Sequence, residues 1–201
     1  MTERKKISFK ERYETGQTPW EIDRVDSNLV IMLTEAGIKP CKTLDIGCGT
    51  GNNSIWLAEQ GFEVTGCDAS KLAIDKAMEK SNQAGTECAF FEADFLKEKS
   101  NTPLYSLLID RGCFHCFDET SERQQFIDNC FSMLKDGGLW ISIIGNADEK
   151  RQEQGPPQMS AAEIATLIEP HFEIIIIESG LFDSNLDNAP RAWLCLFRKR
   201  S

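Results

Sequence analysis

Long apolar runs, internal repeats and a surplus of positive charge are all missing from this sequence of 201 residues. No stretch approaches the ~20 apolar residues that a membrane-spanning helix needs. Lysine and arginine total 22 against 32 aspartate and glutamate, a net charge of -10 that repels phosphate backbones and anionic lipid. Nucleic-acid and membrane partners are therefore not expected. The N-terminal stretch MTERKKISFKERYE is charged and lacks the apolar core of a secretory signal, which points to a cytoplasmic location. Cysteine, by contrast, is plentiful. The eight cysteines fall mostly within or beside apolar strand-like runs, so buried free thiols are expected rather than bridges. The length suits one compact domain with a sizeable core, and the acidic surface is compatible with a monomer or weak oligomer.

Short apolar runs alternate with polar, helix-like segments. KTLDIG (42–47), FEVTGCD (62–68), ECAFFEAD (87–94), YSLLIDRG (105–112) and LWISIIG (139–145) read as strands. Between them, SKLAIDKAMEKSNQ is amphipathic, with Ser70 as cap and Leu72, Ile74, Ala77 and Met78 inward. Another helix runs from Ser121 to Leu134 and stops at the turn Lys135–Gly138. The last two strands, FEIIIIE (172–178) and AWLCLFRK (192–199), are joined by a loop too plain for a parallel crossover, so they pair antiparallel. This alternation predicts an α/β, doubly wound, mostly parallel sheet with helices on both faces. Residues 1–40 precede the repeat as a helical appendage or lid, and 41–201 form the main domain.

The first strand runs into LDIGCGTGNNS, a glycine turn that opens a helix. Glycines 47, 49 and 51 follow GxGxG rather than the dinucleotide spacing GxGxxG, with Asp45 two residues before the first. Asp68, 23 residues after Asp45, ends the second strand, where a carboxylate can accept two hydrogen bonds from a ribose diol. Asp94 ends the third, where it can accept from an exocyclic amine, with Phe95 as an apolar contact to the base. Singly, Asp68 and Asp94 also read as helix caps or solvated loop acids.

These features resemble the class I S-adenosylmethionine-dependent methyltransferases from Thr43 to about Gly145. That resemblance implies a Rossmann-like, seven-stranded sheet with an antiparallel last strand, and S-adenosyl-L-methionine as cofactor. It implies that Gly47, Gly49 and Gly51 line the methionine side with Cys48 between them, and that Asp68 holds the ribose beside Ala69. Asp94 and Phe95 then lie at the adenine. Four outlying segments resemble the thiopurine, thiol and halide methyltransferase group: QTPWEI (17–22), DRG (110–112), GPPQMSAAEI (155–164) and RAWLCLFRK (191–199). In that group the first of these lies over the cofactor, which makes Trp20 either a cofactor cover or an anchor for the N-terminal helix.

RGCFHC (111–116) has three readings: a redox dithiol, part of a zinc site, or the wall of a substrate pocket. The pocket wall fits best, because ligands of open parallel sheets bind beyond the carboxyl ends of the strands. Arg111 is then a candidate for the methionine carboxylate, for an anionic acceptor, or for a pair with Asp110. His115 is either a base facing the transferred methyl or a packed imidazole bonded to backbone. The expected activity is methyl transfer to a small-molecule acceptor, first a thiol or another soft nucleophile. An oxygen or nitrogen acceptor and a non-catalytic sensor of the cofactor are the alternatives. Orienting donor and acceptor contributes about 7–11 kcal/mol in favourable cases, so no catalytic triad is required.

Overall fold

Seven apolar runs, rich in isoleucine, leucine and phenylalanine, form one sheet in the computed structural model, which describes residues 9–98, 104–149 and 157–201. In chain order the elements are α1 (Phe9–Thr15), α2 (Ser27–Glu35), β1 (Lys42–Ile46), α3 (Asn52–Glu59), β2 (Glu63–Asp68), α4 (Lys71–Ala84) and β3 (Ala89–Glu92). Then come β4 (Tyr105–Arg111), a single 3-10 turn (Phe114–Cys116), α5 (Thr120–Met133), β5 (Leu134–Gly145), α6 (Ala161–Ile168), β6 (Phe172–Leu181) and β7 (Arg191–Lys199). The strand order is β3-β2-β1-β4-β5-β7-β6. All pairs are parallel except β5 with β7 and β6 with β7. The antiparallel ending is thus present, with β7 inserted between β5 and β6.

Alternation along the strands sends neighbouring residues to opposite faces. Leu44, Ile46, Leu108 and Trp140 join a core with Phe126, Ile127 and Cys130 of α5 and with Ile164 and Ile168 of α6. Leu107, Ile109 and Ile141 pack on the other side with Leu29, Met32 and Leu33 of α2 and Leu57 of α3. Both faces are covered, as a mostly parallel sheet requires. No helix among the described residues is long and apolar enough to cross a membrane.

Two local expectations shift. In α4 the buried stripe is Ala73, Ile74, Ala77 and Ser81, while Leu72 and Met78 lie at the flank and stay exposed. Small residues on this stripe let the helix close on its neighbours: a Cβ built on Gly51 would sit 3.0 Å from that of Ala77. At the other place, the turn after α5 is drawn into the sheet. β5 begins at the fully buried Leu134, paired with Tyr105, and an irregularity before Leu107 absorbs the extra residues. Ser70 caps α4 as expected, its hydroxyl accepting from Ala73 N.

Trp140 is the largest fully buried side chain, ringed by Phe114, Phe126, Phe172 and Phe197 with centroids 5.2 to 5.8 Å away. Its indole N–H donates to Asp110 Oδ2 at 3.0 Å. The other oxygen of Asp110 accepts from the amides of Cys113 (3.2 Å) and Phe114 (2.9 Å), anchoring the 3-10 turn. Replacing Trp140 by Phe removes a hydrogen bond to a buried carboxylate as well as ring volume. The loss expected from the bond alone is about 1.5–3 kcal/mol, measured by urea unfolding; an unchanged midpoint would show that the indole bond adds no net stability.

Candidate active site

The strand order reverses between β1 and β4, and at such a switch point the loops leaving the carboxyl ends diverge and open a crevice. Here the crevice is a cavity of about 950 Å³. This is the upper end of the ~300–1,000 Å³ typical of ligand sites. Its walls come from the ends of β1, β2, β3, β4 and β5, from the N-terminal segment, and from the loop between β6 and β7.

The glycine turn forms one wall. Gly47 and Gly49 have φ of +68° and +56°, a region that disfavours side chains. A Cβ on Gly47 would meet Cys113 at 2.8 Å, and one on Gly49 the Tyr13 hydroxyl at 2.8 Å. Beside them, Asp68 Oδ2 accepts from Gly49 N (3.0 Å) and Oδ1 from Ser70 N (2.8 Å). Each oxygen keeps acceptor capacity for a ligand hydroxyl. Burial pushes the Asp68 pKa up, against the two amide bonds. Cys48 and Ala69 also line the cavity, and burial beside Asp45 and Asp68 raises the Cys48 thiol well above its usual value.

Asp45 and Gly51 are not among the lining residues. Asp45 is buried behind the turn and accepts from Ser54 Oγ at 2.6 Å. Burial, reinforced by Asp110 and Asp68, pushes its pKa up to about 7 despite that bond. Gly51 closes against Ala77 and Phe90. Both shape the turn from behind. Asp94 lies at the cavity but is exposed, paired with Lys97 at 2.9 Å. Phe95 also reaches it, although its ring packs mainly on Phe126, 4.6 Å away.

Trp20 and Phe9 border the cavity together with Tyr13, their rings edge to face at 5.3 and 5.8 Å from tryptophan. Trp20 Nε1 donates to the Tyr13 hydroxyl at 3.1 Å. Nearby, Glu21 accepts from Thr50 Oγ1 (2.6 Å) and from the Asn52 amide, and Lys80 bridges Asp23, Thr50 and Asn52. The segment after α1 is thus tied to the glycine turn and α4.

Arg111 is engaged with protein at all three nitrogens. Nε contacts the fully buried carboxylate of Asp26, one amino group donates to the carbonyl of Trp20 (3.1 Å), and the other to that of Asp183 (2.5 Å). Its guanidinium also faces Phe182, 5.7 Å from the ring centre. In this arrangement it clamps protein groups together, and its carboxylate partner is Asp26. The pair with Asp110 does not form, because strand alternation puts the two on opposite faces.

His115 is buried, its Nδ1 accepting from the amide of Gly145 at 2.6 Å. An amide N–H can only donate, so Nδ1 carries the lone pair and the neutral ring is protonated at Nε2. This is the backbone bond of the packed-imidazole reading, and Nδ1 is the nitrogen that it occupies. Neither Cys113 nor Cys116 is in a disulfide; Cys116 Sγ lies 2.9 Å from the Gly112 carbonyl, and burial raises the Cys113 thiol well above its usual value. Reactive thiols show the reverse shift. In the GPP segment, Gly155 and Pro156 lie outside the described residues, and Pro157 reaches the cavity.

Sequence reasoning missed Tyr13, Asp26 and Phe182. Tyr13 stands seven residues before Trp20, a spacing that was available as a signal. Asp26 has a capping pattern, its side chain accepting from Asn28 N, but nothing local points to Arg111, 85 positions away. Phe182 carries no local signal at all.

The turn, the acid that ends β2 and the antiparallel sheet ending define a class I S-adenosylmethionine-dependent methyltransferase, an enzyme whose cofactor is S-adenosyl-L-methionine. The chain matches the thiopurine S-methyltransferase family over residues 4–192 and belongs to that family. It is similar to a probable thiol methyltransferase 2 of Arabidopsis thaliana, 28% identical over 196 residues, covering 95% of this chain and 83% of that one. Thiocyanate methyltransferase 1 of Brassica oleracea is 26% identical, with 84% and 74% covered. A structure solved for the conversion of a disulfide bond into a thioacetal group during echinomycin biosynthesis superposes with a TM-score of 0.78 at 25% identity, covering 90% of this chain and 85% of that one.

Two outcomes follow from this geometry. Arg111→Met leaves the Asp26 carboxylate buried without its cation and is expected to cost about 3–5 kcal/mol in urea unfolding; a loss below about 1 kcal/mol would mean that water takes over the role of the guanidinium. Asp45 binds its proton more tightly folded than unfolded. Between the ordinary carboxylate pKa and about 7, its contribution therefore makes stability fall as pH rises. Asp45→Asn should remove a slope of up to about 1.4 kcal/mol per pH unit in that window. Parallel stability profiles for the two proteins would contradict the raised pKa.

Proposed function

We propose that the enzyme holds S-adenosylmethionine along the ends of β1, β2 and β3 and transfers its methyl group to a small-molecule thiol or another soft nucleophile, under a lid formed by residues 9–24. Of the rest of the expected N-terminal lid, α2 packs on the sheet instead, and residues 1–8 lie outside the described residues. The observation that carries this reading is the Asp68 carboxylate beside the side-chain-free backbone of Gly47 and Gly49, opening on a cavity large enough for two ligands. Asp68 accepts from the ribose hydroxyls. Gly47, Cys48 and Gly49 lie along the methionine portion, Ala69 beside the ribose, and Asp94 with Phe95 at the adenine. Trp20, backed by Tyr13 and Phe9, covers the cofactor. Asp45 and Gly51 hold the turn in shape, and Arg111 fastens the lid to the β6–β7 loop.

The cofactor, when bound, supplies an electrophilic methyl on a sulfonium whose departing sulfur is neutral. The protein's contribution is then alignment and exclusion of water. The clamp at Arg111 and the ties from Glu21 and Lys80 close the cavity over that alignment. A sulfur acceptor is supported by the similarity, over most of the chain, to a probable thiol methyltransferase, and by a structural neighbour solved for chemistry at disulfide sulfur.

Isothermal titration with S-adenosylhomocysteine, followed by methyl-release assays on thiols, hydroxyls and amines, tests both halves. Turnover confined to hydroxyls or amines would sink the sulfur reading. Asp68→Ala is expected to weaken S-adenosylhomocysteine binding about 10- to 100-fold, the range for a lost hydrogen bond to a charged group; unchanged affinity would remove Asp68 from the ribose site.

A further inference from the structure

Tyr13 on α1 carries a hydroxyl with one hydrogen bond made and one to give. The residue is buried, and its oxygen accepts from Trp20 Nε1 at 3.1 Å. An indole nitrogen can only donate, so the O–H of Tyr13 is not used in that bond. No acceptor meets this proton among the described residues.

The hydroxyl stands against the glycine turn. A Cβ on Gly49 would meet it at 2.8 Å and would meet nothing else within 4 Å, so the absent side chain makes room for the tyrosine oxygen. Both residues line the cavity. Burial, with the charges of Asp68 and Glu21 nearby, raises the pKa of the phenol and keeps its proton in place. The lid thus presents a neutral donor to the turn.

A methionine portion lying along this turn brings a carboxylate, and the donors that would first be assigned to it are engaged. The amides of Cys48, Gly49 and Gly51 donate to the Cys67 carbonyl (2.9 Å), Asp68 Oδ2 (3.0 Å) and the Cys48 carbonyl (3.0 Å). Among the described residues the cations lining the cavity are Arg24, Arg111 and Arg191. Each is bonded to protein: Arg24 to Asp183 and Asn185, Arg111 to Asp26 and two carbonyls, Arg191 to Ser179 at 3.1 Å.

We propose that Tyr13 is a ligand of the cofactor, its O–H donating to the methionine carboxylate. The inference rests on the placement of the methionine portion along Gly47–Gly49 given above. The bond is of the charge-assisted kind, and no proton changes hands. Trp20 is then a positioning residue as well as a cover, since its N–H occupies a lone pair of Tyr13 and leaves the tyrosine proton for the ligand. Because Tyr13 belongs to α1, a bound cofactor ties that helix to the turn.

Two ligands isolate the carboxylate: S-adenosylhomocysteine and its decarboxylated analogue, which keeps the amine and the adenosine. Calorimetry, with displacement titration for the weaker ligand, gives both affinities for each protein. Tyr13→Phe removes one oxygen and keeps the ring. Its loss of affinity for S-adenosylhomocysteine should exceed its loss for the analogue about 10- to 100-fold, the range for a hydrogen bond to a charged group. Equal losses for the two ligands, or no loss for either, would overturn the proposal. Trp20→Phe removes the indole donor and keeps the tyrosine hydroxyl. A carboxylate preference abolished there and intact in Tyr13→Phe would give the carboxylate to the indole instead. Asp68→Ala should weaken both ligands, since both carry the ribose. An Asp68→Ala protein that binds both as the parent does would defeat the placement of the cofactor, separately from the role of Tyr13.

Discussion

The contact between Arg111 and Asp26 ties together three parts of the chain that are far apart in sequence. Asp26 has no exposure to solvent, so its charge is tolerable only with a cation and hydrogen-bond donors beside it. The guanidinium supplies the cation from the end of β4, while its remaining nitrogens take the carbonyls of Trp20 and Asp183. Arg24, also bonded to Asp183, adds a second tie between the N-terminal segment and the β6–β7 loop. One side chain planted in the sheet thus meets both segments that border the cavity. A parallel sheet offers its strand ends as anchor points; here the end of β4 holds the N-terminal segment and the β6–β7 loop.

Beneath that clamp lie two buried carboxylates with different tasks. Asp110 is surrounded by donors, namely the Trp140 indole and the amides of Cys113 and Phe114, and it fixes the turn that carries His115. Burial still pushes its pKa up to about 6. Asp45 has the Ser54 hydroxyl as its side-chain donor and titrates nearer neutrality. The comparison follows general electrostatics: more donors around a buried carboxylate favour its charged form. Neither needs to touch a ligand to shape the site.

Much of the architecture was legible along the chain. Strand-length apolar runs, the glycine turn after the first and acids ending the second and third carry the sheet, the crevice and the cofactor, because these are local signals set by side-chain periodicity and backbone freedom. The α4 stripe was misread since Leu72 and Met78 are apolar yet flank the contact, while Ser81 is small enough to be buried in it. The roles of Arg111 and His115 were out of reach for a deeper reason. Each depends on its hydrogen-bond partners, and those partners are backbone groups or acids 30 to 91 positions away.

What the sequence determined by itself was the class of fold and the chemistry of the cofactor cradle, since each glycine or acid is a local signal set at the end of its own strand. Only the tertiary structure decided which nitrogen of His115 holds a proton, where the charge of Arg111 is spent, and which aromatic rings cover the cavity. Those properties arise from groups brought together by the sheet crossing at β1 and β4 and by the loops that fold back over it. No periodicity in the chain records such meetings, because they are set by distance in space.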